Sequence, residues 1–196
     1  YALYNYSGLQ LALSKNIPAV RLIEMLGPSS VARFGHTMGI ESALYPNLSL
    51  ALGTSGVKLI NLTAAYSVFP NKGKLIEPYG VMEVVDGNGR LIWRVKPQKK
   101  AVISRESAAV ITDMLHSVIQ DGTGKKAKVI QRPVAGKTGT TNEFKDALFV
   151  GFSPSITTGV WVGKDTFTTI GKGETGARAA LPIWIEFMQR ALLDRP

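Results

Sequence analysis

With 196 residues, 45% of them hydrophobic and 19% charged, the chain is long enough to bury a core and has the composition of a soluble globular protein. A formal charge of +9 and a pI near 9.8 favour anionic partners, but the cations are scattered, and the densest group (Lys125, Lys126, Lys128) has no aromatic interleaved and reads as a solvated loop rather than a nucleic-acid patch. The absence of cysteine excludes disulfides, thiol nucleophiles and cysteine metal sites; His36 and His116 lie far apart in helical patterns without a ligand partner, so no metal and no cofactor are expected.

Residues 1–8 are aromatic and show no period. Leu9 to Ser14 reads as the end of a helix, interrupted at Ser14-Lys15-Asn16. Ile17-Pro18 restarts a helix, with proline in the first turn, Asn16 as cap, and Ile17, Val20, Ile23 and Leu26 as the apolar face. Ser14 and Asn16 thus sit at a helix-to-helix junction, either as plain caps or as two side chains facing one cleft. Gly27-Pro28 ends that helix and opens another through Met38. Ser42 to Gly56 reads as a loop of small residues. Val57 to Phe69 is helical, with Leu59, Ile60, Leu62, Ala65, Tyr66 and Phe69 buried, and Asn71-Lys72-Gly73 stops it. Tyr79–Val85 and Arg90–Val95 form a hairpin across Asp86-Gly87-Asn88-Gly89, expected to lie away from any cleft. Ser104 caps a helix through Ile119, and Gly122-Thr123-Gly124 follows as a flexible loop.

Val134 to Thr141 then brings an apolar approach into a lysine, small residues and hydroxyls. Gly136 and Gly139 bracket Lys137-Thr138, which opens the backbone to another chain. Ala147–Phe152 and Thr158–Val162 read as two further strands around Ser153-Pro154-Ser155, so the octet lies on a strand followed by a strand hairpin. A cation and hydroxyl donors on a sheet edge suit an extended ligand bearing a carboxylate. Gly-Lys-Thr also ends the phosphate-binding loop G-x-x-x-x-G-K-[ST], but that motif needs glycine where Gln131 stands and a helix at the lysine. Thr166–Thr175 reads as a loop, and Ala179–Leu193 as an amphipathic helix with Trp184, Phe187 and Met188. Late strands, central helices and a closing helix give an α/β (α+β) fold, a central antiparallel sheet flanked by helices.

Ser14-x-Asn16, followed 123 residues after Ser14 by Lys137-Thr138-Gly139, resembles the second and third motifs of the penicillin-recognising serine enzymes, S-x-x-K, S-D-N and K-T-G. With Asn16-Ile17-Pro18-Ala19-Val20, Leu50-Ala51-Leu52-Gly53, Gly122-Thr123-Gly124, Gly136 to Asn142, Asp146 to Gly151 and Gly159-Val160-Trp161-Val162-Gly163, nearly the whole chain is similar to the transpeptidase domain of class A penicillin-binding proteins. The resemblance implies that residues 1–196 are one incomplete domain of the serine β-lactamase/transpeptidase type. Its activity would be D,D-transpeptidation, serine acyl transfer from D-Ala-D-Ala stem peptides that cross-links peptidoglycan, with β-lactams as inhibitors. Catalytic roles fall to Ser14, a proton relay to the leaving amine; Asn16, a hydrogen-bond partner of the substrate amide; and Lys137, which keeps the potential positive. Thr138, Gly139 and Thr140 would bind substrate, with the two hydroxyls on its carboxylate, the Thr140 N–H as an oxyanion donor, and Gly139 leaving room for the bound strand.

One departure stands out. The nucleophile motif should precede Ser14, yet only a few residues do, and the approach over Asn5 to Leu13 is short. Ser55-Gly56-Val57-Lys58 matches S-x-x-K formally but lies after Ser14. The missing N-terminal part of the domain is therefore expected as a partner, and the fragment alone is expected to be inactive. A glycan-polymerising domain and a membrane anchor are expected upstream, which places the domain on the outer face of a bacterial cytoplasmic membrane. The uncharged stretches of the chain itself fall short of a spanning helix. Competing readings are a class A β-lactamase, for which Glu41-Ser42-Ala43-Leu44 is suggestive although Tyr45 replaces the expected asparagine, a D,D-carboxypeptidase, and a non-catalytic docking domain.

Overall fold

A computed structural model of the chain describes residues 8–193 and Arg195; the aromatic stretch 1–7 lies outside them. Helix α1 covers residues 8–12 and breaks at Leu13-Ser14. Ser14 has φ 54, a left-handed value that helix ends usually give to glycine, and the N–H groups of Ser14 and Lys15 donate back to Leu11 O and Gln10 O at 3.1 and 2.9 Å. Helix α2 (Asn16–Leu26) begins at once, and α3 (Pro28–Thr37) follows across Gly27. Two expectations for α2 need correction. Asn16 is its first residue rather than its cap, and no side chain caps the helix. Its apolar face is buried only at Ile23, while Ile17 and Leu26 are 70% and 57% exposed. The reason is packing: α2 lies mainly against the 3-10 turn Leu48–Leu52 and α3, which together cover one side of it.

Helix α4 (Leu59–Ser67) buries Asn61, Ala64 and Ala65, whereas Ile60, expected inside, points to solvent. Strand β1 (Lys74–Ile76) pairs antiparallel with β4 (Lys99–Ala101), a ribbon the sequence reading lacks. Its strands are three residues long and rich in lysine, so the alternation that signals a strand is missing. Between them β2 (Glu83–Val85) and β3 (Leu91–Arg94) form the expected hairpin. The Asp86 Oδ1 atom closes its turn by accepting the N–H groups of Asn88 and Arg90 at 2.9 and 2.8 Å.

Helix α5 (Arg105–Gln120) is capped as expected, Ser104 Oγ accepting the Ser107 N–H at 3.1 Å. Strands β5 (Ala135–Thr140), β6 (Asp146–Phe152) and β7 (Thr157–Gly163) make an antiparallel sheet in the order β5-β6-β7, which leaves β5 at an edge. A π-helical turn, Gly176–Ala180, leads into α6 (Leu181–Ala191). Trp184 and Met188 of α6 are fully buried with Phe149 of β6, Ile119 and Leu181, but Phe187 faces outward. On the other face Phe152 and Ala135 pack with Leu115 of α5 and with Tyr66 and Phe69. The middle strand β6 is therefore covered on both sides, and the expected antiparallel sheet flanked by helices is what the chain builds. Among the described residues no helix is long and apolar enough to cross a membrane.

Candidate active site

The edge strand β5 sets the geometry. One residue beyond it, the Thr141 N–H donates to Asp146 O on the β6 side at 3.1 Å. Successive residues of a strand turn their N–H and C=O groups to alternate sides, so Gly139 and Lys137 also bond towards β6, while the backbone groups of Thr140 and Thr138 point to the free edge. A ligand strand laid on that edge would meet the Thr140 N–H and the Thr138 C=O.

Lys137 reaches across this edge. Its Nζ donates to Ser14 Oγ at 2.7 Å and to Thr138 O at 3.0 Å. Among the described residues no carboxylate pairs with it. Burial without a counter-charge pushes its pKa down from 10.5 to about 8. The left-handed turn at Ser14 is what presents the hydroxyl, so the broken helix is part of the site.

The neighbouring hydroxyls are held from two directions. Thr138 Oγ1 shares a 2.7 Å hydrogen bond with Thr123 Oγ1. Thr123 is placed by its N–H, which donates to Ala12 O at 3.1 Å, and Gly122 allows that approach, since a Cβ there would strike Ala12 O. Thr140 Oγ1 accepts the Gly176 N–H at 3.0 Å. Gly176 lies directly over the carbonyls of Gly139 and Leu148, where a side chain has no room. Asn16 is exposed two residues after Ser14, and among the described residues its side chain makes no hydrogen bond.

Of the six residues picked from the sequence, Ser14, Lys137 and Thr138 are thus joined directly. Gly139 and Thr140 follow on the same strand, and Asn16 stands beside Ser14 without touching the cluster. Thr123 was quoted within Gly122-Thr123-Gly124 as part of the family resemblance but was given no role, because a threonine between two glycines looks like a flexible loop; its contact with Thr138 brings it into the cluster. Ser55 takes a different part. Its buried hydroxyl accepts the Tyr45 N–H at 3.1 Å, while Lys58 lies at the surface 3.9 Å from Glu41, so this S-x-x-K match ties a loop together and leaves Glu41 in a surface pair. His36 and His116 bond to the carbonyls of Ile40 and Val134, and no metal-holding group of side chains occurs among the described residues. Lys137 lies inside a strand and no helix begins at it, which disposes of the phosphate-loop reading.

The family model of the penicillin binding protein transpeptidase domain matches residues 8–189. The chain belongs to this transpeptidase family. Penicillin-binding protein 1A of Aquifex aeolicus is 46% identical over 179 residues, 91% of this chain and 24% of that protein. The crystal structure of penicillin-binding protein 1A from Haemophilus influenzae superposes with a TM-score of 0.92 at 30% identity, covering 96% of this chain and 34% of that one. PonA1 of Mycobacterium tuberculosis, solved in complex with penicillin V, superposes with a TM-score of 0.84 at 26% identity, over 96% of this chain and 57% of that one. The chain spans about a quarter of the length of the curated relatives it matches.

Proposed function

We infer that the chain is the substrate-holding part of a D,D-transpeptidase that cross-links peptidoglycan and is acylated by penicillins. The Lys137–Ser14 hydrogen bond at the open edge of β5 carries this reading. It puts an ammonium and a hydroxyl where the carboxylate of a D-Ala-D-Ala terminus, or of a β-lactam, would lie beside Thr138. The Thr140 N–H, which points to the same open edge, would face the scissile carbonyl and serve as an oxyanion donor. A serine from a segment outside these 196 residues, in a longer polypeptide of the kind the relatives have, attacks that carbonyl. The C–N bond breaks, the terminal D-alanine leaves as the amine, and Ser14 passes it the nucleophile's proton while Lys137 holds the local potential positive. An amine of a neighbouring stem then takes the acyl group. Asn16, exposed beside Ser14, is assigned to the substrate amide. A membrane anchor and a glycan-polymerising domain in the same polypeptide, on the outer face of the cytoplasmic membrane, complete the assignment.

Fluorescent penicillin tests it on the full-length protein. Stoichiometric, long-lived labelling is expected, and Lys137→Ala should slow labelling about a hundredfold or more, the scale of losing a positioned electrostatic stabiliser. Near-normal labelling of that variant would remove Lys137 from the mechanism. Rapid turnover of the label would turn the assignment into a β-lactamase, and no label at saturating dose into a docking domain.

A further inference from the structure

The β2–β3 hairpin has two unlike faces. Glu83 stands opposite Arg94 and Val84 opposite Trp93, and the ladder runs on to Met82, whose O accepts the Val95 N–H at 2.8 Å. Side chains alternate along a strand, so Met82, Val84, Trp93 and Val95 share one face. Glu83 and Arg94, paired at 2.6 Å, share the other. Such alternation normally turns the apolar face onto a core. Here the two strands pair with no third, Met82 is 68% exposed, and Val84 and Trp93 are open to solvent as well. Continuous apolar surface left in water marks an interaction site.

The charge around that face is one-sided. Arg90 and Lys96 bracket β3, and Lys99 and Lys100 follow in β4, which pairs with β1 at the root of the hairpin. All four are exposed, and among the described residues none has an acid partner. The two acids of the hairpin are already committed, Glu83 to Arg94 and Asp86 Oδ1 to the N–H groups of Asn88 and Arg90.

We propose that the apolar face of this hairpin docks an amphipathic helix of another protein, one whose apolar stripe is flanked by acidic residues. Two strands about 4.8 Å apart have the width of a single helix, so one helix covers both as a second layer. Trp93, with Met82 and Val84 beside it, is the anchor that the stripe would bury. Carboxylates along the stripe would complement the four unpaired cations. Other occupants fit less well. A bilayer would have to receive the turn, which carries the Asp86 carboxylate and Asn88. A second copy laid face to face would set the same cations against each other.

The test uses the full-length protein and two fluorescein-labelled synthetic helices of about four turns. They share one leucine stripe and differ only at the flanking positions, glutamate in one and lysine in the other. In fluorescence anisotropy the acidic helix should bind saturably, about tenfold tighter than its lysine twin at low salt, and the gap should shrink as salt rises. Trp93→Ala should weaken the acidic helix about tenfold or more, the effect of losing a central anchor, with the circular dichroism of the protein unchanged. Lys99→Glu combined with Lys100→Glu should narrow the gap between the two helices. Absence of saturable binding, equal affinity for both helices, or an acidic helix held as tightly by Trp93→Ala overturns the proposal. So does a face that ignores the acidic helix but gives Trp93-dependent binding to phosphatidylglycerol vesicles or Trp93-dependent dimerisation, which would assign it to a bilayer or to a second copy.

Discussion

The β6–β7 hairpin and the β2–β3 hairpin are built from the same local signals. Each is a pair of short strands rich in β-branched and aromatic residues, and each turn is closed by a side-chain oxygen. In one turn Ser153 Oγ accepts the N–H groups of Ser155 and Ile156 at 3.3 and 3.1 Å, and in the other Asp86 does the equivalent. Their surroundings differ. Helices α4 and α6 close over the first, leaving Phe149 and Val150 fully buried, whereas no residue of β2 or β3 is shielded and Trp93 is 48% exposed. Turn chemistry and strand propensity therefore decide that a hairpin forms, and long-range packing decides what it is worth. The edge proposed as the active site belongs to the packed sheet.

The tryptophans give the sharpest test. Trp184 is fully buried, 4.8 Å from the Phe149 ring centre, and its Nε1 donates to Thr158 O at 3.1 Å. Trp184→Ala should cost about 3–5 kcal/mol in urea unfolding. Trp93→Ala, in the exposed hairpin, should cost no more than about 1 kcal/mol. Equal losses would erase the distinction between the two ribbons.

Next in size comes Lys137, where the rigid sheet works against stability. Its folded pKa of about 8 lies below the ordinary 10.5, so between those values the unfolded chain holds more protons and stability rises with pH. Below about pH 8 the full penalty of the buried charge is present. The gap bounds that penalty near 3 kcal/mol, and the hydrogen bonds to Ser14 and Thr138 offset part of it. Lys137→Met should therefore stabilise the fold by about 2 kcal/mol at pH 7, and the gain should fade as pH approaches 10.5. A pH-independent effect in denaturation curves would break the link between charge and penalty.

The smallest effect concerns Ser14. Both Ser14→Gly and Ser14→Ala delete the hydroxyl, but only glycine accepts φ 54 freely. The glycine variant should be about 1 kcal/mol more stable than the alanine variant. Identical midpoints would show that the turn relaxes when the hydroxyl goes.

Much of the chain was legible in order. The Asp86–Gly89 turn, the Ser104 cap, the Gly27-Pro28 break and the three late strands carry their signals within a few residues. Ser14 and Lys137 were legible as types at a spacing, and the fold supplied the 2.7 Å that joins them. What escaped is non-local. The β1–β4 pairing links lysine-rich triplets across the intervening hairpin, Ile17 and Leu26 follow a helical period that nothing here covers, and Thr123 matters only through Thr138. Asn16 was misplaced by one position, because the left-handed Ser14 lets Lys15 take the cap.

The contact between Lys137 and Ser14 closes a loop of 123 positions, and the closure brings an order of events with it. Local pieces such as α5 and the β2–β3 hairpin can form early, but a bond that spans so much chain waits until the intervening segments have settled. A polypeptide still emerging from the ribosome has the serine long before it has the lysine. On the roles proposed for the two side chains, an immature copy therefore has no assembled site with which to grip the material around it.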